Sequence, residues 1–123
     1  MLQGRILVVD DEKDVATIVQ IGLSKAGFAV KVEYDPIEAY RKFRPNDYDL
    51  VILDVRMPDI SGIELYQRLY EMDNKLKVCF FSASAAPEVT AKYRKLVNDA
   101  CFVEKPVSIT KLVQIVKSQI MAR

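Results

Sequence analysis

The chain has no histidine, no tryptophan, only four glycines and only two cysteines among its 123 residues. Without histidine there is no Ser-His or Cys-His catalytic pair and no imidazole metal site. The two cysteines, Cys79 and Cys101, sit inside apolar, strand-like runs and lack CxxC or metal-type spacing. They are expected to be reduced core residues, which makes the cytoplasm the default location. No apolar stretch approaches the length of a membrane span, and the N-terminus MLQGRILVVDD lacks a signal-peptide pattern. A net charge of +1 excludes a chain basic enough overall to coat nucleic acid. Neither a membrane nor direct nucleic-acid binding is therefore expected. There is also no internal repeat, low-complexity tract or linker, so residues 1–123 read as a single domain with ordinary globular composition.

What the chain does have is a regular alternation. Short apolar runs recur at residues 5–9 (RILVV), 29–33 (AVKVE), 50–55 (LVILDV), 77–83 (KVCFFSA) and 101–105 (CFVEK). Continuous runs of Val, Ile, Leu and Phe suggest strands covered on both faces. The second run alternates Val30 and Val32 with Lys31 and Glu33, as an edge strand would. Helical patterns lie between them. Residues 14–26 carry Val15, Ile18, Val19 and Leu23 at helical spacing and close at Gly27. Residues 35–43 begin with Asp35 as cap and Pro36 in the first turn, and residues 61–72 begin with the box Ser61 to Glu64. Residues 86–98 and 108–121 follow, the latter capped by Ser108. Five strand-helix repeats predict an α/β fold, a parallel sheet with helices on both faces.

Ligands of such sheets bind beyond the carboxyl ends of the strands. The first strand ends at Asp10 and Asp11, the third at Asp54, the fourth at Ser82 and Ala83, and the fifth at Lys105 before Pro106. Three acids against one amine leave a formal charge of −2 on that rim, which one Mg²⁺ would cancel. Oxygen-only donors suit Mg²⁺. Two adjacent carboxylates at the end of a buried strand, otherwise repulsive and costly to desolvate, make sense as half of a metal site.

The chain resembles the response-regulator receiver domain of two-component signalling, of the chemotaxis-receiver kind, over essentially its whole length. The likeness rests on the acid pair Asp10 and Asp11; on Asp54, Met57, Pro58 and Gly62 in the D-x-x-M-P-x-x-x-G pattern; on Ser82 with Ala83; and on Lys105 with Pro106. It implies a flavodoxin-like, doubly wound sheet of five strands in the order 2-1-3-4-5 with five helices. It further implies that Asp54 accepts a phosphoryl group from a sensor histidine kinase, a phosphotransfer protein or a small-molecule donor. Asp11 and Asp54 would bind Mg²⁺ directly, Asp10 partly through water, and the backbone carbonyl of Arg56 would complete the set. Ser82, the Ala83 amide and Lys105 would hold the phosphoryl oxygens, and Pro106 would follow a cis peptide. Ser82 and Phe102 would form the switch. Phe102 lacks the hydroxyl of a tyrosine, so its coupling to the site is expected to rest on packing alone. The readout surface would be the fourth helix, fifth strand and fifth helix, with Lys92, Tyr93, Lys95 and Lys111, facing a downstream effector. Homodimerisation on phosphorylation is left open by the sequence.

The chemistry of these residues agrees, because phosphoryl transfer needs an aligned nucleophile and cations on the transferring oxygens. Each residue also has a plainer reading. Asp10 and Asp11 resemble a helix start complementing the macrodipole; Lys105 could be a solvated lysine before a turn, and Ser82 an ordinary strand-end hydroxyl. The acid pair, Asp54 and Lys105 occurring together favour the site. Such a chain would be no conventional enzyme, catalysing only its own phosphorylation and dephosphorylation. An aspartyl-phosphate phosphohydrolase is the first competitor, but those enzymes commonly place a carboxylate two residues after the nucleophile, where Arg56 stands. A nucleotide or flavin binder would need a Gly-rich first turn, which is acidic here. A non-phosphorylated interaction module would not need the full set of pocket groups. Arg56 and Ser84 lie where side chains overhang a phosphoryl group, and Arg56 is expected to affect its lifetime.

Overall fold

Runs of β-branched and aromatic residues pair as five parallel strands: β1 (Gly4–Val9), β2 (Phe28–Glu33), β3 (Leu50–Asp54), β4 (Lys77–Ser82) and β5 (Cys101–Glu104). The order is β2-β1-β3-β4-β5, with β2 on an edge, in agreement with both expectations. The structure is a computed structural model describing residues 3–82, Ala91, Lys95 and residues 101–121. Four helices are described: α1 (Lys13–Lys25), α2 (Pro36–Lys42), α3 (Gly62–Met72) and α4 (Ile109–Met121). The helix expected over 86–98 lies outside the described residues, apart from Ala91 and Lys95, both helical and exposed. Lys92, Tyr93, Ala83 and Ser84 also lie outside them. No helix among the described residues is long and apolar enough to cross a membrane.

Alternate residues of each strand point to opposite faces, and both faces are covered. Leu7, Val9, Val51, Leu53, Val78 and Phe80 pack with Ile63, Leu65, Tyr66 and Leu69 of α3. Ile6, Val8, Leu50, Ile52, Cys79 and Phe81 pack with Val19 and Leu23 of α1 and with Leu112 and Val116 of α4. The helix starts carry the expected chemistry. Asp35 Oδ1 accepts from the Ile37 amide at 2.9 Å, Ser61 Oγ from the Glu64 amide at 3.3 Å, and Ser108 Oγ from the Lys111 amide at 3.2 Å. Helix α1 closes with Gly27 at φ 101°, a left-handed stop.

Cys79 and Cys101 correct the expectation of separate reduced thiols. They are register partners on β4 and β5, their Cα atoms are 4.4 Å apart, and they are joined in a disulfide. Each run showed only that its cysteine was apolar-sided; the pairing of strands 22 residues apart put both on one face. Paired in this way, the cysteines give no ground for placing the chain in the cytoplasm.

Gly62 opens α3 directly beneath the end of β3, and its amide donates to the Val55 carbonyl at 3.1 Å. A Cβ there would overlap the Asp54 carbonyl oxygen and lie 3.3 Å from the Val55 Cα. Backbone, unlike a flexible side chain, cannot swing aside. Gly62→Ala is therefore expected to lower stability by about 1–3 kcal/mol, read as a lower urea midpoint at unchanged slope. Wild-type stability in that variant would show that the loop yields freely.

Candidate functional site

Because all five strands run the same way, their carboxyl ends meet on one rim. Asp10 follows β1, and its amide donates to the Glu33 carbonyl of β2 at 3.2 Å. Asp54 ends β3, opposite Phe81 of β4. Ser82 ends β4 half-buried, opposite Glu104 of β5, and its carbonyl accepts from the Lys105 amide at 2.8 Å. The Lys105-Pro106 peptide is cis, as expected. The ladder thus delivers residues 10, 54, 82 and 105 to one place, although they are far apart in the chain.

The Lys105 ammonium lies at the centre. Its Nζ is 3.0 Å from Asp10 Oδ2, 3.2 Å from Glu12 Oε1 and 3.4 Å from Asp54 Oδ2. The other oxygens of the two buried acids take backbone amides. Asp10 Oδ1 accepts from Glu12 at 2.9 Å, and Asp54 Oδ1 from Arg56 at 3.3 Å. One carboxylate oxygen from each of Asp10, Glu12 and Asp54 lies within 4.8 Å of the others. A close set of hard oxygen donors carrying excess negative charge fits a small divalent cation.

Asp11 is exposed on the rim and does not join this three-carboxylate group. Glu12 takes the third place. Glu12 is not among the rim acids that the sequence singles out. The one signal for it is adjacency to the Asp10–Asp11 pair at the start of α1. Phe102 is half-buried and packs on Phe80 with ring centroids 5.5 Å apart, alongside the α3-side core.

Electrostatics follow from the geometry. Burial, then the neighbouring Asp10 charge, pushes the Asp54 carboxyl up from 3.8 to about 6, although Lys105 and the Arg56 amide oppose the rise. Burial alone would lower the Lys105 value, but its hydrogen bond to Asp10 and the charges of Asp10 and Asp54 raise it above 10.5. The ammonium therefore stays charged, while Asp54 is held in an environment that resists its charge.

A sequence model of the family described as response regulator receiver domain matches residues 6–117. The transcriptional regulatory protein PrrA of Mycobacterium bovis is 35% identical over 120 residues, covering 97% of this chain and 51% of that protein. The chain thus spans about half the length of that relative. Among solved structures, the BeF3-activated receiver domain of DrrB superposes with a TM-score of 0.87 at 26% identity, covering 99% of this chain and all of that one. Response regulator TrrA of Thermotoga maritima, in complex with Mg²⁺-BeF, superposes with a TM-score of 0.80 at 30% identity, covering 97% and 99%.

The raised Asp54 value fixes the sign of a stability effect. A folded-state value of about 6 against 3.8 means that the folded chain holds this proton more tightly than the unfolded chain does. Its contribution to stability is present below pH 3.8 and is lost as pH rises through 6. Asp54→Asn removes the buried charge, so in EDTA at pH 7.5 it should stabilise the protein by about 1–2 kcal/mol. The gain should vanish near pH 4. Urea denaturation at both pH values checks this; a destabilised variant at pH 7.5 would contradict it.

Proposed function

The chain belongs to the response-regulator receiver domain family, and from that premise we propose that it is a phosphoacceptor switch with Asp54 as the acceptor. The observation that carries this reading is the convergence of Asp10 and Asp54, from two strand ends, on the Lys105 ammonium from a third, in a largely buried pocket. The phosphoryl donor is a sensor histidine kinase, a phosphotransfer protein or a small acyl phosphate or phosphoramidate. In the transfer, an Asp54 carboxylate oxygen forms the new bond to phosphorus as the donor's P–N or P–O bond breaks, and the bonding pair leaves with the donor.

Each residue has a derivable task. Lys105 counters the burial and the Asp10 charge that disfavour ionised Asp54, and it offers positive charge to the incoming phosphoryl oxygens. The Arg56 amide orients the Asp54 carboxylate through Oδ1. Ser82, at the end of β4, lines the same rim and can donate its hydroxyl. Asp10, Asp11, Asp54 and the Arg56 backbone carbonyl would hold Mg²⁺. When bound, the ion adds positive charge that favours ionised Asp54 and offsets the charge of the phosphoryl group.

The signalling consequence is electrostatic first. Phosphorylation adds about one negative charge, which draws on Ser82 and Lys105. Phe102, three residues before Lys105 and packed on Phe80, then responds through packing. The face of β5 and α4, with Lys111 and Ile115, presents the outcome to a downstream effector. The names of several relatives describe transcriptional regulators about twice the length of this chain. DNA contact on this reading belongs to an effector rather than to this domain, and a switch that feeds such effectors works in the cytoplasm whatever the state of its cysteines.

Incubation with Mg²⁺ and acetyl phosphate should add a single phosphoryl mass at Asp54, and EDTA or Asp54→Asn should abolish it. On the fluoroberyllate-bound protein, the ring signals of Phe102 should shift by NMR. No metal-dependent adduct would defeat the switch, and a silent Phe102 would defeat the packing route alone. Arg56 is exposed two residues past the acceptor, where its guanidinium can shield the acyl phosphate from water. Arg56→Ala should therefore change the decay rate of the phosphorylated protein about twofold or more, within the range of a screened surface charge. An unchanged decay rate would refute that role.

A further inference from the structure

The switch reading leaves one well-defined contact without a task. Glu12 Oε1 is 3.2 Å from Lys105 Nζ, yet the Glu12 side chain is 58% exposed, against 3% for Asp10 and 8% for Asp54. Lys105 is therefore held by two acids from inside the pocket and by one from the solvent side. That solvent side is the route by which a phosphodonor must arrive.

The backbone around Glu12 is well anchored. Its amide donates to Asp10 Oδ1 at 2.9 Å, and its carbonyl accepts from the Ala16 amide at 3.0 Å in the first turn of α1. It occupies the N-cap position of α1 without a side-chain capping bond. The carboxylate thus serves Lys105 rather than the helix end. Among the three partners of the ammonium, Glu12 is the one most easily released, since its solvated carboxylate has little desolvation cost to recover. An incoming phosphoryl group needs the same ammonium and must pass the same negative charge.

We propose that Glu12 is a positioning residue that holds Lys105 at the pocket mouth and, through its charge, discriminates against more highly charged phosphodonors. This rests on the reading of Asp54 as phosphoacceptor. Glu12 yields Lys105 as the phosphoryl group arrives, so its contact belongs to the unphosphorylated state.

The test compares wild type, Glu12→Gln and Glu12→Asp at saturating Mg²⁺, with adduct formation followed by mass. Acetyl phosphate is a dianion at neutral pH, whereas phosphoramidate carries one net negative charge. Removing one charge across a solvated gap of this size is worth roughly threefold per unit of donor charge. Glu12→Gln should then speed acetyl phosphate by about ninefold and phosphoramidate by about threefold, with the difference fading at high salt. Glu12→Asp keeps the charge and should leave the ratio between donors near that of wild type. In metal-free protein, the Lys105 ε-methylene signals should shift in Glu12→Gln, a readout independent of phosphorylation.

Equal acceleration with both donors would overturn the proposal. So would unmoved Lys105 signals, or a slowdown that tracks weaker Mg²⁺ binding in a parallel titration, which would place Glu12 among the metal's ligands. Wild-type protein that takes no phosphoryl group from either donor would instead remove the Asp54 assignment, and this role with it.

Discussion

One ammonium shared by three carboxylates organises the functional end of this molecule. Lys105 reaches Asp10, Glu12 and Asp54 within 3.4 Å, and without it two nearly buried acids would face each other uncompensated. Such an arrangement is expensive by itself. It persists because each buried acid also accepts a backbone amide and because the parallel ladder leaves its strand ends no other place to go. The residual negative charge makes the pocket a poor structural cluster and a suitable receptacle for cationic charge.

The rest of the fold serves that convergence. A sheet covered on both faces holds β1, β3, β4 and β5 in register, so the residues at their carboxyl ends are placed by the packed core rather than by local preference. Gly62 lets α3 start against the end of β3, keeping the Asp54 backbone pinned from below. At the opposite end of the sheet, Lys77 Nζ donates to the Gln119 and Ile120 carbonyls, which ties the end of α4 to β4. The Cys79–Cys101 disulfide joins β4 to β5, the strands that carry Ser82 and lead to Lys105. These ties all restrain the frame within which the pocket groups sit, and Glu12, on the solvent side, is the group least constrained by it.

Most of the fold was legible in the chain, since its signals are local. Apolar runs, the Asp35 and Ser61 caps and the Gly27 stop each act within a few residues, so described element boundaries fall close to those expected. Asp10, Asp54 and Lys105 were also legible, because a parallel sheet converts the property of ending a strand into proximity. Two features were not. The cysteine pairing depends on the register between β4 and β5, and the place of Glu12 depends on where a lysine 93 residues later directs its side chain.

The sequence alone therefore determined the alternation of strands and helices and the acidic, histidine-free chemistry of the rim. These follow from the period of side chains and the identity of residues. Tertiary structure decided which acids share the ammonium, with Glu12 drawn in and Asp11 left at the surface. It also decided that two apolar-run cysteines became covalent neighbours. Distances across a pocket are set by strand pairing and by competition among charges for one partner, and neither quantity is carried by any single stretch of chain.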